Sequence, residues 1–290
     1  MTTVTEAPVS KPFAGINVLE LEITGKCQLT CTHCLSESSP QASHGNMTPA
    51  DWRAVIVDAA ALGIPQVQLI GGEPTVNPYW IEYTDLALSL GLRVQIYSNL
   101  FHVRDEWWPV FERDGVTLGT SYYSDDPAEH DKITGRAGSY ARTRSNIREA
   151  LVRAIVVRVG IVAVLPGQRV NQARAELRSM GVAQIQTDRA RAVGRSALPG
   201  QTPTVDELCG NCGRGRAAVL PDGDLSGCVL SRFLPTGNVR ERRLADILGS
   251  PTWSETIASI PPRSGFACTP DDSGDCDPAN TEACNPAYDD

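Results

Sequence analysis

The sequence predicts a parallel α/β sheet curled into an open barrel, followed by a small cysteine-bearing extension. Three observations carry that reading. Six strand-like stretches alternate with helix-like ones between about residues 17 and 190, and such alternation builds a parallel sheet with right-handed crossovers. Several strands are apolar on one face and polar on the other, whereas parallel strands covered by helices on both faces run almost continuously apolar. The nine cysteines fall into two sets, one directly after the first strand and one beyond residue 200.

Residues 1–16 read as a disordered lead-in. In the first strand, "VLELEIT", Glu20, Glu22 and Thr24 interleave with Leu19, Leu21 and Ile23. The helix "TPADWRAVIVDAAALG" follows, with Thr48 as N-cap and a glycine past its end, the residue that most easily turns left-handed there. The strand "PQVQLIG" sets Gln66 and Gln68 on its polar side, and "YWIEYTDLALSLG" is the next helix. The strand "RVQIYSN" does the same with Arg93, Gln95, Tyr97 and Asn99, and "VRDEWWPVFERDG" reads as a helix. The strands "VTLGTSYYS", "VVRVGIVAVL" and "VAQIQTD" alternate with the helices "YARTRSNIREALVRA" and "VNQARAELRSMG". One polar face per strand predicts helices outside and a wet, concave lumen inside, suited to a polar or peptidic substrate.

After residue 200, "LPGQTPTVDELCGNCGRG" links into the second cysteine set. "AAVLPDGDLSGCVL" carries a hairpin signature at Asp222-Gly223, and "RRLADILGSPTWSETIASI" offers one or two short helices. The acidic tail is too poor in apolar residues to form a core and depends on its cysteines. The expected organisation is therefore 1–16 lead-in, 17–199 barrel and 200–290 extension.

The composition narrows the function. A net charge of −8 argues against nonspecific nucleic-acid binding, which needs a positive surface to displace counterions. No stretch approaches about 20 continuous apolar residues, as a membrane span requires. The first residues lack the basic-then-apolar signature of a secretory signal, so a cytoplasmic location is expected. In a reducing compartment cysteines point to metal ligation or catalysis over disulfides.

The stretch "CQLTCTHC" places Cys27, Cys31 and Cys34 at C-x3-C-x2-C. A structural zinc site closes with four ligands, and His33, lodged between two of the cysteines, has too little chain to reach the same ion. A cubane iron–sulfur cluster tolerates three protein ligands and leaves one iron open. With "GGEPT" at the end of the second strand, this loop resembles the radical S-adenosylmethionine (SAM) superfamily. The resemblance implies a partial (β/α)6 radical SAM barrel with a [4Fe–4S] cluster at its mouth, whose open iron chelates SAM. One electron would cleave SAM to a 5′-deoxyadenosyl radical that abstracts hydrogen from substrate, the cofactor carrying the hard chemistry.

On the same resemblance, Gly71, Gly72 and Glu73 would receive the SAM amino group, with Pro74 holding the turn. Ser98 or Asn99 in "YSN" would lie near the ribose, and Ser121 and Arg142 near the carboxylate, with Arg144 as an alternative to Arg142. "CGNCGRGRAAVLPDGDLSGC", preceded by an R-x-x-GR run in "DRARAVGRSA", resembles a SPASM or twitch extension, which holds auxiliary iron–sulfur clusters. Cys209, Cys212 and Cys228 with one of Cys268, Cys276 and Cys284 would complete at least one auxiliary [4Fe–4S] cluster. A zinc ribbon at Cys209 and Cys212 is the alternative for that pair.

Enzymes of this kind mostly modify ribosomally made peptides, and the resemblance implies a precursor peptide as partner. No cysteine lies between Cys34 and Cys209 to return a hydrogen atom from the barrel, which favours oxidative crosslinking over epimerisation. Glu20, Glu22 and Asp188 are candidate general bases, or partners of lumen arginines. The short lead-in is too small for a leader-binding module, so either a separate leader-binding protein presents the peptide or its core sequence suffices, and flavodoxin or ferredoxin would supply electrons. A small-carbohydrate or amino-cyclitol dehydrogenase is the second reading, and a non-enzymatic iron–sulfur or zinc protein the third.

Overall fold

The structure, a computed structural model, describes residues 15–262. Nine strands form one sheet in the order β6-β5-β4-β3-β2-β1-β7-β8-β9. The first six, β1 (Ile16–Glu22), β2 (Gln66–Ile70), β3 (Arg93–Tyr97), β4 (Val116–Tyr122), β5 (Val157–Ala163) and β6 (Gln184–Arg189), run parallel. The crossovers carry α1 (Pro49–Ala61), α2 (Trp80–Ser89), the short α3 (Trp108–Phe111), α4 (Pro127–Thr134), α5 (Ser139–Val152) and α6 (Val170–Met180). This is the parallel sheet with crossover helices that the alternating pattern predicts.

Local chemistry accounts for the element ends. Thr48 caps α1 in a reciprocal box with Asp51, which satisfies two backbone donors that a helix start leaves orphaned. The helix read over "VRDEWWPVFERDG" shrinks to the single turn of α3 behind a 3-10 turn, because Pro109 is tolerated only at a helix's first turn. Polar α4, capped by Asp126 and stopped by left-handed Gly135, carries little apolar periodicity to announce it.

The apolar strand faces pack outward on the helices in one continuous core. Leu19, Leu21, Val67, Leu69, Val94 and Ile96 meet Trp52, Ile56, Tyr83 and Ala87 there. The polar faces line the inside, as the period-two pattern requires, but at the middle of β1, β2 and β3 they are buried, while Arg93 and Gln184 at the strand starts stay exposed. Glu20, Gln68 and Gln95 are at most 3% exposed. Gln68 donates to Gln95 across the β2–β3 register, and Glu20 meets arginine from the extension. Buried polar groups persist only when so partnered.

The extension joins the barrel's own sheet. After the hairpin of β7 (Gly215–Val219) and β8 (Asp224–Ser226), β9 (Gly237–Asn238) closes the edge. β7 pairs parallel with β1, Glu20 opposite Ala218, so β1 is an interior strand. Two helices, α7 (Leu244–Leu248) and α8 (Pro251–Ser259), complete it. Among the described residues no helix is long and apolar enough to cross a membrane.

Candidate functional site

The cysteine loop leaves β1 at the C-terminal mouth of the barrel, where a parallel α/β fold places its ligands. Backbone bonds fix its course: Cys27 N–H donates to Ser39 O (3.1 Å), and Thr30 and Thr32 donate to Thr134 O (3.1 Å) and Ile133 O (2.9 Å) at the end of α4. Cys27, Cys31 and Cys34 all line one cavity. Burial and the nearby Glu73 push the Cys27 thiol well above its ordinary value, and burial pushes Cys31 up to about 12. Such thiols ionise when a metal takes the proton's place.

The "GGEPT" turn supplies the cavity's second wall through backbone. Gly72 N–H donates to Thr24 O and Glu73 N–H to Lys26 O, both at 2.8 Å. A Cβ at Gly71 would strike Thr24 O and one at Gly72 would strike Lys26 O, so the close approach to the end of β1 demands glycine. Gly71 and Gly72 line the cavity. Glu73 is fully buried, its Oε1 accepting from Thr75 N–H and hydroxyl and its Oε2 from Asn99 N–H (2.8 Å). Its carboxylate therefore ties the turn to the end of β3. Pro74 opens the turn that follows.

Of the other residues expected near SAM, Asn99 and Ser121 lie on the cavity wall. Asn99 Nδ2 donates to Cys27 Sγ (3.5 Å), and Ser121 Oγ lies 3.0 Å from the Tyr97 hydroxyl. Ser98 sits behind the wall, its Oγ accepting from Leu100 N–H (3.1 Å). Arg142 stacks over Phe101, 4.9 Å from the ring centre, and Arg144 is held by Glu176 at 2.6 Å.

The three lumen acids each meet an arginine. Glu20 pairs with Arg216 and accepts from Val229 N–H (2.9 Å). Asp188 takes both oxygens to Arg191 (2.9 and 3.0 Å). Glu22 pairs with Arg232 at 3.0 Å, and of the three it alone lines the cavity. Burial raises the Glu22 and Asp188 carboxyls against the pull of their arginines.

Two cavity groups had only partial sequence signals. His33 lies edge-to-face on Tyr123 at 5.0 Å, and its Nδ1 is buried without a hydrogen-bond partner. Burial, helped by Arg195, lowers its pKa to about 4, so it is neutral. Arg195, the last residue of the R-x-x-GR run, donates to Cys31 O and Ser38 O from across the cavity.

The donor set fits the implied group. Three thiols line one cavity, with the His33 ring among the lining side chains. Among the described residues no three His, Cys, Asp or Glu side chains gather around a single ion, and three thiolates are the ligand set a cubane cluster with one open iron accepts, one short of a closed zinc site. Cys212 and Cys228 meet at Sγ–Sγ 2.9 Å beside Cys209, at the base of β7. Hydrogen bonding to Cys209 and Cys228 and burial raise the Cys212 thiol. Cys268, Cys276 and Cys284 lie outside the described residues.

The Radical SAM superfamily pattern matches residues 21–178, and the SPASM iron–sulfur cluster-binding domain matches 209–284. The PqqA peptide cyclase of Ruegeria pomeroyi is 31% identical over 161 residues, 54% of this chain and 42% of that protein. An S-adenosylmethionine-dependent nucleotide dehydratase of a Thermoplasmatales archaeon is 29% identical, over 46% of this chain and 47% of that protein. The subtilosin biosynthesis protein AlbA of Bacillus subtilis is 23% identical over 86% of this chain and 63% of its own. The chain thus spans less than two thirds of each of these relatives. Among solved structures, Streptococcus suis SuiB bound to its precursor peptide SuiA superposes with TM-score 0.71 at 13% identity, over 84% of this chain and 67% of that one. Native anSMEcpe with bound AdoMet gives 0.64 at 12%, over 84% and 83%. At such identities the likeness is one of fold.

Proposed function

Because the chain belongs to the radical SAM superfamily and carries a SPASM iron–sulfur domain, we propose that it crosslinks a ribosomally made precursor peptide oxidatively. When bound, the clusters and SAM supply a radical that takes a hydrogen atom from substrate and an acceptor for the electron released on ring closure. The chain's own residues hold the triad loop, exclude water with the apolar wall of Leu29, Ile70 and Val162, and provide a proton acceptor in Glu22.

One observation carries this reading. The segment bearing the second cysteine set supplies the cavity wall, for Val229 and Leu230 line it directly after Cys228. An electron acceptor held by Cys209, Cys212 and Cys228 would then lie just behind the substrate, which suits a net oxidation. The stretch from Cys34 to Cys209 holds no intervening cysteine to hand back a hydrogen atom, which tells against epimerisation. Among relatives that also include a nucleotide dehydratase, the peptide cyclases and a bacteriocin biosynthesis protein support a peptide substrate. A flavodoxin or ferredoxin as electron donor completes the proposal.

The test is anaerobic turnover of cluster-loaded enzyme with SAM, dithionite and precursor peptides encoded beside it. The expected product is a peptide lighter by the hydrogens lost at each link, formed with 5′-deoxyadenosine. A peptide of unchanged mass in ordinary water that gains one deuterium at Cα in deuterated solvent would mean epimerisation. Turnover of an amino-cyclitol with no reaction of any peptide would favour the dehydrogenase reading.

A further inference from the structure

Beyond the triad, the cysteine loop is gripped from a distance by one cation. Arg195 Nε donates to Cys31 O at 2.7 Å and one terminal nitrogen donates to Ser38 O at 2.8 Å, across 164 and 157 residues of sequence. Its backbone N–H adds a third bond, to Cys34 O at 3.0 Å. The residue before it, Gly194, has φ +61°, and a Cβ there would collide with the carbonyls of Cys34 and Leu35. The segment after β6 is therefore shaped to press its backbone onto the cysteine loop and lay the guanidinium along it.

The neighbouring cavity arginines are neutralised: Arg189 pairs with Glu207 at 3.0 Å and Arg191 with Asp188. Arg195 has no carboxylate partner among the described residues and spends its donors on neutral carbonyls. Among the described residues no acid offsets its charge on the cavity wall beside Cys31.

We propose that Arg195 is a positioning residue that clamps the triad loop and, by its unneutralised charge, eases reduction of the cluster the triad holds. Adding an electron makes a thiolate-bound cluster more negative, so a fixed cation beside it favours the reduced form. At an effective dielectric near 20, a unit charge several ångströms away changes such an equilibrium by about tenfold or more. The inference concerns the family's cofactor and does not depend on which substrate is modified.

The experiment compares wild type, Arg195→Gln and Arg195→Lys as full-length, reconstituted protein. Iron and sulfide content report whether the clusters are held. An anaerobic EPR titration reports the reduced fraction at fixed potential, the triad cluster being identified as the signal that SAM perturbs. For Arg195→Gln we expect about a tenfold lower ratio of reduced to oxidised cluster, ~59 mV for one electron, with Arg195→Lys near wild type. A Gln variant that loses the triad iron while the Lys variant keeps it would support the same charge requirement. An unchanged ratio in a loaded Gln variant would overturn it. So would equal loss of iron in both variants, which would make the clamp a matter of side-chain shape alone.

Discussion

Replacing Arg216 by methionine should unfasten the extension from the barrel. Arg216 on β7 is 4% exposed and Glu20 on β1 is 0% exposed, and they form an ion pair inside the lumen. Removing one member strands a charge in a site with little water, a change that costs about 3–5 kcal/mol, whereas removing both can be nearly neutral. Arg216→Met is therefore expected to destabilise by about 3–5 kcal/mol, a fall on the order of 10 °C in Tm for a chain of this size. Glu20→Gln should cost a comparable amount, and the double variant should recover to within about 1–2 kcal/mol of wild type. Anaerobic urea melts of the cluster-loaded proteins, followed by tryptophan fluorescence, give all four values. A loss below about 1 kcal/mol for Arg216→Met, or a double variant as weak as the sum of the singles, would refute a tightly coupled buried pair. The double variant also tests Glu20 as a base: wild-type product formation would make its role structural, while SAM cleavage without product would make it chemical.

Three further outcomes follow from the same geometry. Burial lowers the His130 pKa to about 4, so the unfolded chain takes up a proton the folded chain refuses. Stability should fall as pH drops from about 6.5 towards 4, by about 2 kcal/mol at pH 5, and urea melts at pH 7.5 and 5 should find part of that slope gone in His130→Phe. Glu22→Gln should keep SAM cleavage but lose coupled product. In wild type, product formation should rise with pH through a value above the ordinary carboxylate range, because burial raises that carboxyl; a flat profile would remove Glu22 as the proton acceptor. Cys27, Cys31 and Cys34 replaced together by alanine should abolish SAM cleavage and remove about four irons per chain, leaving the iron held by the second set measurable by EPR. Loss of all iron would leave that second set without a cluster.

Much of this was legible in the sequence where a local rule matched the global fold. The alternation of Glu20 and Glu22 with Leu19 and Leu21 marked β1 and its inner face, and Thr48 marked the start of α1. The triad spacing and "GGEPT" marked the cavity. What escaped depended on contacts far apart in the chain. The lumen reads as wet because its residues are polar, yet Arg216 and Arg232, some two hundred residues away, meet Glu20 and Glu22 and let them be buried. "AAVLPDGDLSGCVL" is a hairpin by its turn chemistry, but nothing local says that its first strand pairs with β1. Arg195 was visible only as part of a run, and its target carbonyls belong to the cysteine loop. Arg142 is expected by its charge, and the Phe101 ring under its guanidinium is a contact no local pattern announces.

The parallel pairing of β7 with β1 also has a consequence in time. Among the described strands β1 leaves the ribosome first, and the strand that covers its second edge is made about 200 residues later. At roughly 5–20 residues per second that edge stands open for on the order of 10–40 s, with Glu20 facing the place where Arg216 will arrive. Pairings so distant in sequence form slowly once both partners exist. A nascent chain in that interval offers an unpaired strand flanked by Leu19 and Leu21, the kind of edge that recruits other chains. A chain stopped before residue 215 would keep that edge for good, so a barrel cut free of its extension should be harder to keep in solution than the whole.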